Sequence, residues 1–388
     1  MARRIRTALI GAGFIGSSHA LALNAVNNTF GRDMFEVEAT VLADADADWA
    51  KVQARRFSFN EWTTDWQNAL AKSDAVILAA PSFAHRDIAL SALSQGKHLL
   101  CEKPVGLSAV EAQKIADAAT GAGVTHGVGL TYLRAPMVRQ AKLLLETGVM
   151  GRPLHFRGRH NEDYLADPEA PFSWRLDPEL AGRCGALGDL GWHIVSIARL
   201  LCGPVFGLAG QVETFHRSRP TGGVRETRRP VGNEDWAGLT LRFDSGATGL
   251  IETSRIAHGR KMDIGFELVC ERGTLALNGE RLNELEVYQS GEEAASSGFR
   301  RVLINADHPD YGAFIPAPAH GLSFNDLKTI ELSDFFTAIA EGRPATPDLT
   351  EAVRIARVCE AALASSATGH WISEPETDPA DRSEVVSA

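Results

Sequence analysis

Three glycines spaced G-x-G-x-x-G follow directly on the strand-like run IRTALI (5–10) and precede the helical run SSHALALNAV. That order constrains the fold more than any other feature of the chain. Gly11 permits a tight turn, Gly13 lets backbone approach a ligand, and Gly16 lets the helix lie close to the strand. The unpaired N–H groups at the helix start then suit a pyrophosphate. Gly11, Gly13 and Gly16, with Phe14 and Ile15 between them, are therefore candidate dinucleotide contacts. Such a unit needs a second parallel strand, and EVEATVLAD (36–44) supplies it, ending in Asp44. The usual gap from glycines to acid is about 20 residues, and NNTFGRDMF (27–35) reads as a loop inserted there. A carboxylate at this place accepts from a ribose 2′-hydroxyl and repels a 2′-phosphate. Ala45 and Asp46 add no arginine, so NAD is expected over NADP.

The alternation continues. DAVILAA (74–80) is nearly all apolar, as a strand covered on both faces must be, and KHLLCE (97–102) and VTHGVGL (124–130) are further strands. Between them lie a helix that Ser82 can cap and Gly96 ends, and one with a Ser108/Glu111 capping box and Gly121 just past its end. Strand and helix in turn imply a doubly wound parallel α/β sheet, a Rossmann domain over 1–126. After about residue 130 the rhythm changes. The helix PMVRQAKLLLETG leads into runs such as DWAGLTLRF and ATGLIETSRI, which alternate apolar and polar residues as half-covered antiparallel strands do. The helices ELSDFFTAIAEG and LTEAVRIARVCEAALASSATG close this α+β domain, 127–372, the second with an Asp348/Glu351 capping box. They are expected to pack back on the first domain. The acidic, Pro-bearing tail 373–388 is expected to be mobile.

Apolar residues make up 44% of the 388, enough for a sizeable core. A net charge of −10 argues against nucleic acid or an anionic membrane as the main partner. The five cysteines lack any CxxC or Cys/His ligand spacing, which implies a reduced, metal-free, cytoplasmic protein. The opening MARRIR carries paired arginines, but no apolar signal region or membrane span follows.

Two stretches carry chemistry. CEKPVG (101–106) ends the fourth strand read above, at the carboxyl edge where ligands bind in open α/β sheets, and offers Glu102 and Lys103. GDLGWH (188–193) sets Asp189 and His193 four residues apart among glycines, one helical turn on the same face. A carboxylate beside an imidazole whose ordinary pKa lies near 6.5 suits proton transfer at neutral pH, although the same pair can be a structural hydrogen bond. Oxidation of a secondary alcohol needs a base, a charge to steady the forming alkoxide, and a hydride acceptor. His193 fits the first, with Asp189 orienting it or holding a second hydroxyl; Lys103 fits the second; NAD would supply the third.

In order and spacing, GAGFIG, EKP and GALGDLGWH resemble the Gfo/Idh/MocA oxidoreductases, over nearly the whole chain to about residue 370. The run ADPEAPFSWRLD (166–177) is similar to the branch holding levoglucosan, inositol and L-glucose dehydrogenases. The resemblance implies that Lys103, Asp189 and His193 meet at the nicotinamide, and that the substrate is a sugar, anhydrosugar or cyclitol oxidised at a ring hydroxyl. It also places Trp174 and Arg175 near the cofactor, and Tyr132 and Asp163 in the substrate pocket. Ser196, Thr131 and Leu133 stand where an aspartate, an asparagine and an arginine are common, and these changes bear on substrate contacts.

Ser82 and His85 are further candidates for the cofactor's edge, with capping or packing as the equal alternative for His85. The basic stretch 216–230 reads as a solvated hairpin, and the stretch 307–324 as a loop crossing the surface. A sheet with one open apolar face needs cover, so a homodimer or homotetramer through that sheet is expected. Two rival readings are an NAD-binding regulator without turnover, and a relative that recycles bound NAD while acting on glycosides.

Overall fold

A computed structural model describes residues 2–222, 227–291, 293, 295–314 and 317–377. It divides into two compact units, Met1–Arg134 with Leu322–Val353, and Ala135–Gly321 with Arg354–Ala388.

The first unit is built on a six-stranded, wholly parallel sheet of order β3-β2-β1-β4-β5-β6. Its strands are β1 (Arg3–Ile10), β2 (Phe35–Ala43), β3 (Glu61–Thr63), β4 (Ala75–Leu78), β5 (His98–Glu102) and β6 (His126–Gly129). The order reverses between β1 and β4, and ligands of such sheets bind outside the carboxyl ends at that point. All four residues of β4 are buried, as its unbroken apolar run requires. One face is covered by α1 (Phe14–Phe30), α2 (Ala47–Arg56) and α9 (Phe324–Glu341). Leu23 and Val26 of α1 meet Phe335, Phe336 and Ile339 of α9 in one buried cluster.

Several boundaries differ from the sequence reading. The short strand β3 was not expected. The unit runs to Arg134 rather than 126, because the 3-10 turn Thr131–Arg134 stays with it. Ser82 caps nothing; it opens the 3-10 turn Ser82–Ala84 ahead of α4 (His85–Ser94). The left-handed residue ending α5 (Ala109–Ala122) is Gly123, not Gly121. The expected Ser108/Glu111 box is half made: Ser108 accepts the Glu111 N–H, while the Glu111 carboxylate takes the Leu107 N–H instead. α9 starts a full turn and more before the expected Glu331, at a Ser323/Asp326 capping box. It is this helix that packs on the first sheet.

The second unit holds a nine-stranded mixed sheet of order β16-β15-β14-β13-β7-β12-β11-β8-β17. In chain order these are β7 (Pro153–Asn161), β8 (Val205–Glu213), β11 (Trp236–Phe243), β12 (Thr248–Ser254), β13 (Asp263–Cys270), β14 (Gly273–Asn278), β15 (Glu284–Gln289), β16 (Arg300–Leu303) and β17 (Ile372–Ser373). Only the β7–β12 pairing is parallel, so the sheet is mostly antiparallel. Helix α8 (Trp192–Cys202) lies against β7. The helix α10 (Leu349–Thr368) begins in the first unit, and its later part packs on β8, where Gly210 leaves no room for a Cβ over Ala362.

The stretch from 373 was expected to be mobile, yet β17 pairs with β8, and the Glu376 carboxylate accepts the Val205 N–H and pairs with Arg199. Residues 378–388 lie outside the described residues, as does the tip, 223–226, of the basic hairpin β9 (Ser218–Pro220) and β10 (Arg228–Pro230). The loop across 307–324 is anchored by fully buried Tyr311 and by an Arg139–Asp310 ion pair. Among the described residues no helix is long and apolar enough to cross a membrane.

Candidate active site

The glycine turn has the shape its sequence demands. Gly11 sits at φ +95°, and a Cβ there would lie 2.6 Å from the Ala79 backbone; one at Gly16 would lie 2.0 Å from the Gly11 carbonyl. At Gly13 nothing stands within 4 Å, so the space over it is open. α1 starts at the next residue with no side-chain cap and no acid in its first turn, so its end keeps its attraction for anions. Phe14 is 77% exposed there and stacks on Phe324. Ile15 is half-buried. Asp44 directly follows β2 and holds the turns around it. Its Oδ2 accepts the Ala12 N–H at 2.8 Å and Oδ1 the Asp46 N–H at 3.1 Å, while Trp49 Nε1 donates to the Ala12 carbonyl at 2.9 Å. Open space over a glycine, an uncapped helix start and a carboxylate beside them fit a bound dinucleotide.

At the carboxyl end of β5 the Lys103 N–H donates to Glu102 Oε2 at 3.2 Å, ahead of a cis Lys103–Pro104 bond. His85 is buried, its Nδ1 2.9 Å from the Pro104 carbonyl and its Nε2 2.7 Å from the Ala80 carbonyl. Burial lowers its pKa. A neutral imidazole has one ring proton, so it donates to one of these two carbonyls, and its ring packs between the turns after β4 and β5. Packing is thus its visible role. Ser82 is buried beside it in sequence, and Tyr132 is buried with its ring against Phe324.

In the second unit Asp189 lies on a single π turn, Leu187–Gly191, that runs straight into α8 carrying His193. The sequence reading expected regular helix; π turns are rare and frequent at functional sites. Glu234 fixes its start. Its side chain accepts the Gly185 and Leu187 N–H groups, each at 2.8 Å, and its carbonyl accepts that of Ala186 at 2.9 Å. A Cβ on Gly185 would lie 2.2 Å from that carbonyl, so only glycine fits. Beside it the buried Arg255 bonds Asp235 and Asn233.

Tyr164 donates its hydroxyl to Asp189 Oδ2 at 2.6 Å. The buried His160 sets its ring 5.7 Å from that of His193 and its Nδ1 3.0 Å from the Leu190 carbonyl. Asp163 is engaged elsewhere: it accepts from Lys261 Nζ at 2.6 Å and the Gly259 N–H at 3.0 Å, which together hold its carboxyl below the usual range. Trp174 and Arg175 stack on each other in a 3-10 turn, and the Arg175 carbonyl accepts from Asn233. Tyr164, His160 and Glu234 were all missed in the sequence. Tyr164 adjoins Asp163, and alternation along HNEDY was a usable signal, since 160, 162 and 164 share a side of an extended chain. Nothing local marked Glu234.

Comparison with known proteins bears on both units. Residues 5–130 match the family model described as oxidoreductase family, NAD-binding Rossmann fold, and residues 138–276 that of the GFO/IDH/MocA C-terminal domain. The levoglucosan dehydrogenase of Pseudarthrobacter phenanthrenivorans is 35% identical over 387 residues, covering 96% of this chain and 99% of that one. The scyllo-inositol 2-dehydrogenase (NAD(+)) of Bacillus subtilis is 25% identical over 90% of each chain. A levoglucosan dehydrogenase solved with NADH and levoglucosan has a TM-score of 0.92 at 35% identity, covering 96% of this chain and 100% of that chain. An inositol dehydrogenase homologue from Azotobacter vinelandii, at 20% identity and a TM-score of 0.81, shares the fold.

Proposed function

The chain belongs to the Gfo/Idh/MocA oxidoreductase family, and from that premise we propose that it is an NAD-dependent dehydrogenase of a sugar, anhydrosugar or cyclitol, oxidising a secondary ring hydroxyl to the ketone. The observation that carries the reading is the presentation of Asp189 from a π turn clamped by Glu234 and of His193 from the helix it runs into, in a chain that also holds a dinucleotide cradle. Bound NAD would supply the hydride acceptor that no side chain can. Gly11, Gly13, Phe14, Ile15, Gly16 and Asp44 would hold it, with Asp44 favouring NAD over NADP; Ser82, His85, Glu102, Trp174 and Arg175 would border it.

In this proposal Lys103 and His193 serve one hydroxyl. The His193 imidazole takes the hydroxyl proton. The Lys103 ammonium steadies the oxygen as negative charge develops. Asp189, held by Tyr164, orients the imidazole or receives a second hydroxyl of the ring. Tyr132 would line the same pocket. Asp163 is proposed in it only through its neighbour, since its own carboxylate is spent on Lys261.

The test is the purified protein with NAD and a panel of anhydrosugars, inositols and aldoses. Reduced nicotinamide should accumulate with at least one of them, and Lys103→Ala or His193→Ala should cut kcat by about a hundredfold or more. Tight NAD binding without turnover on any member would replace this reading with a regulator; product without net reduced cofactor would point to recycling.

We extend the proposal to a homo-oligomer through the open side of the second sheet. There a shallow cavity of about 560 Å³, lined by Arg157, Trp236, Leu250 and Glu252 among others, includes Leu250 at 47% exposure. Light scattering should give a mass above the 41.8 kDa of one chain. Five unbonded cysteines support a reducing compartment such as the cytoplasm.

A further inference from the structure

Four titratable side chains cluster inside the first unit, and three of them take no part in the chemistry above; the fourth, Glu102, was placed only at the cofactor's border. His19 comes from α1, Glu102 from the end of β5, and Lys328 and Glu331 from one turn of α9; their side chains are 0%, 6%, 0% and 1% exposed. The Lys328 ammonium donates to Glu102 Oε1, and to Glu331 Oε2 at 2.8 Å. His19 Nε2 lies 2.8 Å from Glu102 Oε1. The other Glu102 oxygen accepts the Lys103 N–H. Gly129 closes the site, since a Cβ there would lie 2.6 Å from Glu102 Oε1.

His19, Glu102 and Glu331 have the donor types and spacing of a metal site. Lys328 already places a tethered cation among them. Burial and that ammonium together keep His19 neutral. Burial alone would raise the Glu102 carboxyl, but Lys328 and His19 overcome it and hold the group ionised. The cluster then carries two negative charges and one positive. Buried ion pairs seldom add stability over apolar side chains of similar volume, because desolvation cancels their attraction. What this cluster does accomplish is geometric: it leaves the Glu102 carboxylate one position, and that carboxylate grips the amide of Lys103.

We propose that Lys328 is a positioning residue for Lys103, acting through Glu102 to fix the turn at the end of β5. The proposal rests on the dehydrogenase reading for its kinetic consequences. The test is Lys328→Met in the full chain. Without the cation, two buried carboxylates face His19, and imidazole becomes the group best placed to gain a proton. The charged and titratable groups facing one another there are His19 of α1, Glu102 of β5 and Glu331 of α9, with Cys101 and, on α4, His85 near enough to feel the Glu102 charge.

The expected result has three parts. kcat at slightly alkaline pH falls by about tenfold to a hundredfold, while KM for NAD changes little, because Asp44 and the glycine turn are untouched. Activity of the variant recovers as pH falls and His19 takes up its proton, which the parent does not show; His19→Gln on top of Lys328→Met removes the recovery. Amide hydrogen exchange across residues 99–106 quickens. If Lys328→Met fails to fold, Lys328→Met with Glu331→Gln, which restores the original net charge, must show the kcat loss and the faster exchange. A folded variant with parental kcat, pH profile and exchange overturns the proposal, and so does failure of both variants to fold, which would assign the cluster to stability alone. A parent chain that oxidises no polyol sinks the dehydrogenase reading instead, and exchange then decides the positioning claim by itself.

Discussion

Replacing Tyr164 by phenylalanine removes one oxygen and keeps the ring. What is lost is an O–H donated at 2.6 Å to Asp189 Oδ2. Hydrogen bonds to charged groups contribute about 1.5–3 kcal/mol. The Tyr164 residue is 41% exposed, so the lower end applies, about 1.5 kcal/mol. A factor of ten in rate is about 1.36 kcal/mol, so loss of the bond should lower kcat/KM for the polyol by about tenfold, while KM for NAD holds because the glycine turn is untouched. The phenol stays a donor in the parent: burial of its hydroxyl, then the neighbouring Asp189 charge, push its pKa well above the ordinary value. The assay is steady-state kinetics with NAD and an accepted polyol, Tyr164→Phe beside the parent. Parental kcat/KM in the variant would refute the claim that Asp189 works as a carboxylate steadied by Tyr164.

Asp44→Ser takes away both the acceptor for the Ala12 N–H and the charge facing a ribose, so KM for NAD should rise about tenfold or more while the preference over NADP narrows; steady-state kinetics with both cofactors checks this. Glu234→Gln keeps one acceptor and turns an amide N–H toward the other backbone donor, a clash of like partners in a buried place; melting temperature should drop, and kcat should fall while KM for NAD holds, since the π turn and not the cradle is disturbed.

How much of this was legible depended on the range of the interaction. The cradle was, because Gly11, Gly13 and Gly16 act on their own neighbours within one turn, and Asp44 sits at the end of the adjacent strand. The Asp189–His193 pair was legible as a spacing, but its π geometry was not: the hydrogen-bond shift that makes a π turn leaves no mark in residue type, and its cause, Glu234, lies about fifty residues away. The pairing of β7 with β12 was equally hidden, since alternation tells which face a residue takes but not which strand lies beside it. α9 was read from its apolar end and so started late. The cost was Lys328, a lysine that any local reading assigns to the surface, and which is fully buried because its partner stands 226 positions earlier.

One device recurs at three irregular turns of this chain. The glycine turn has the Ala12 N–H held by Asp44; the turn after β5 has the Lys103 N–H held by Glu102; the π turn has the Gly185 and Leu187 N–H groups held by Glu234. Turns that present ligand-binding or catalytic groups cannot close their own hydrogen bonds as helices and strands do, and a buried N–H without a partner is costly. A carboxylate is the strongest acceptor available to one side chain, and its two oxygens can grip two donors at once. It also brings a charge: Lys328 answers that of Glu102, while burial raises the pKa of Glu234 despite its backbone donors and the neighbouring Arg255, which pairs with Asp235. Two of the cations deep in this protein, Lys328 and Arg255, thus stand at or beside acids that hold its turns, and each comes from another element of the chain.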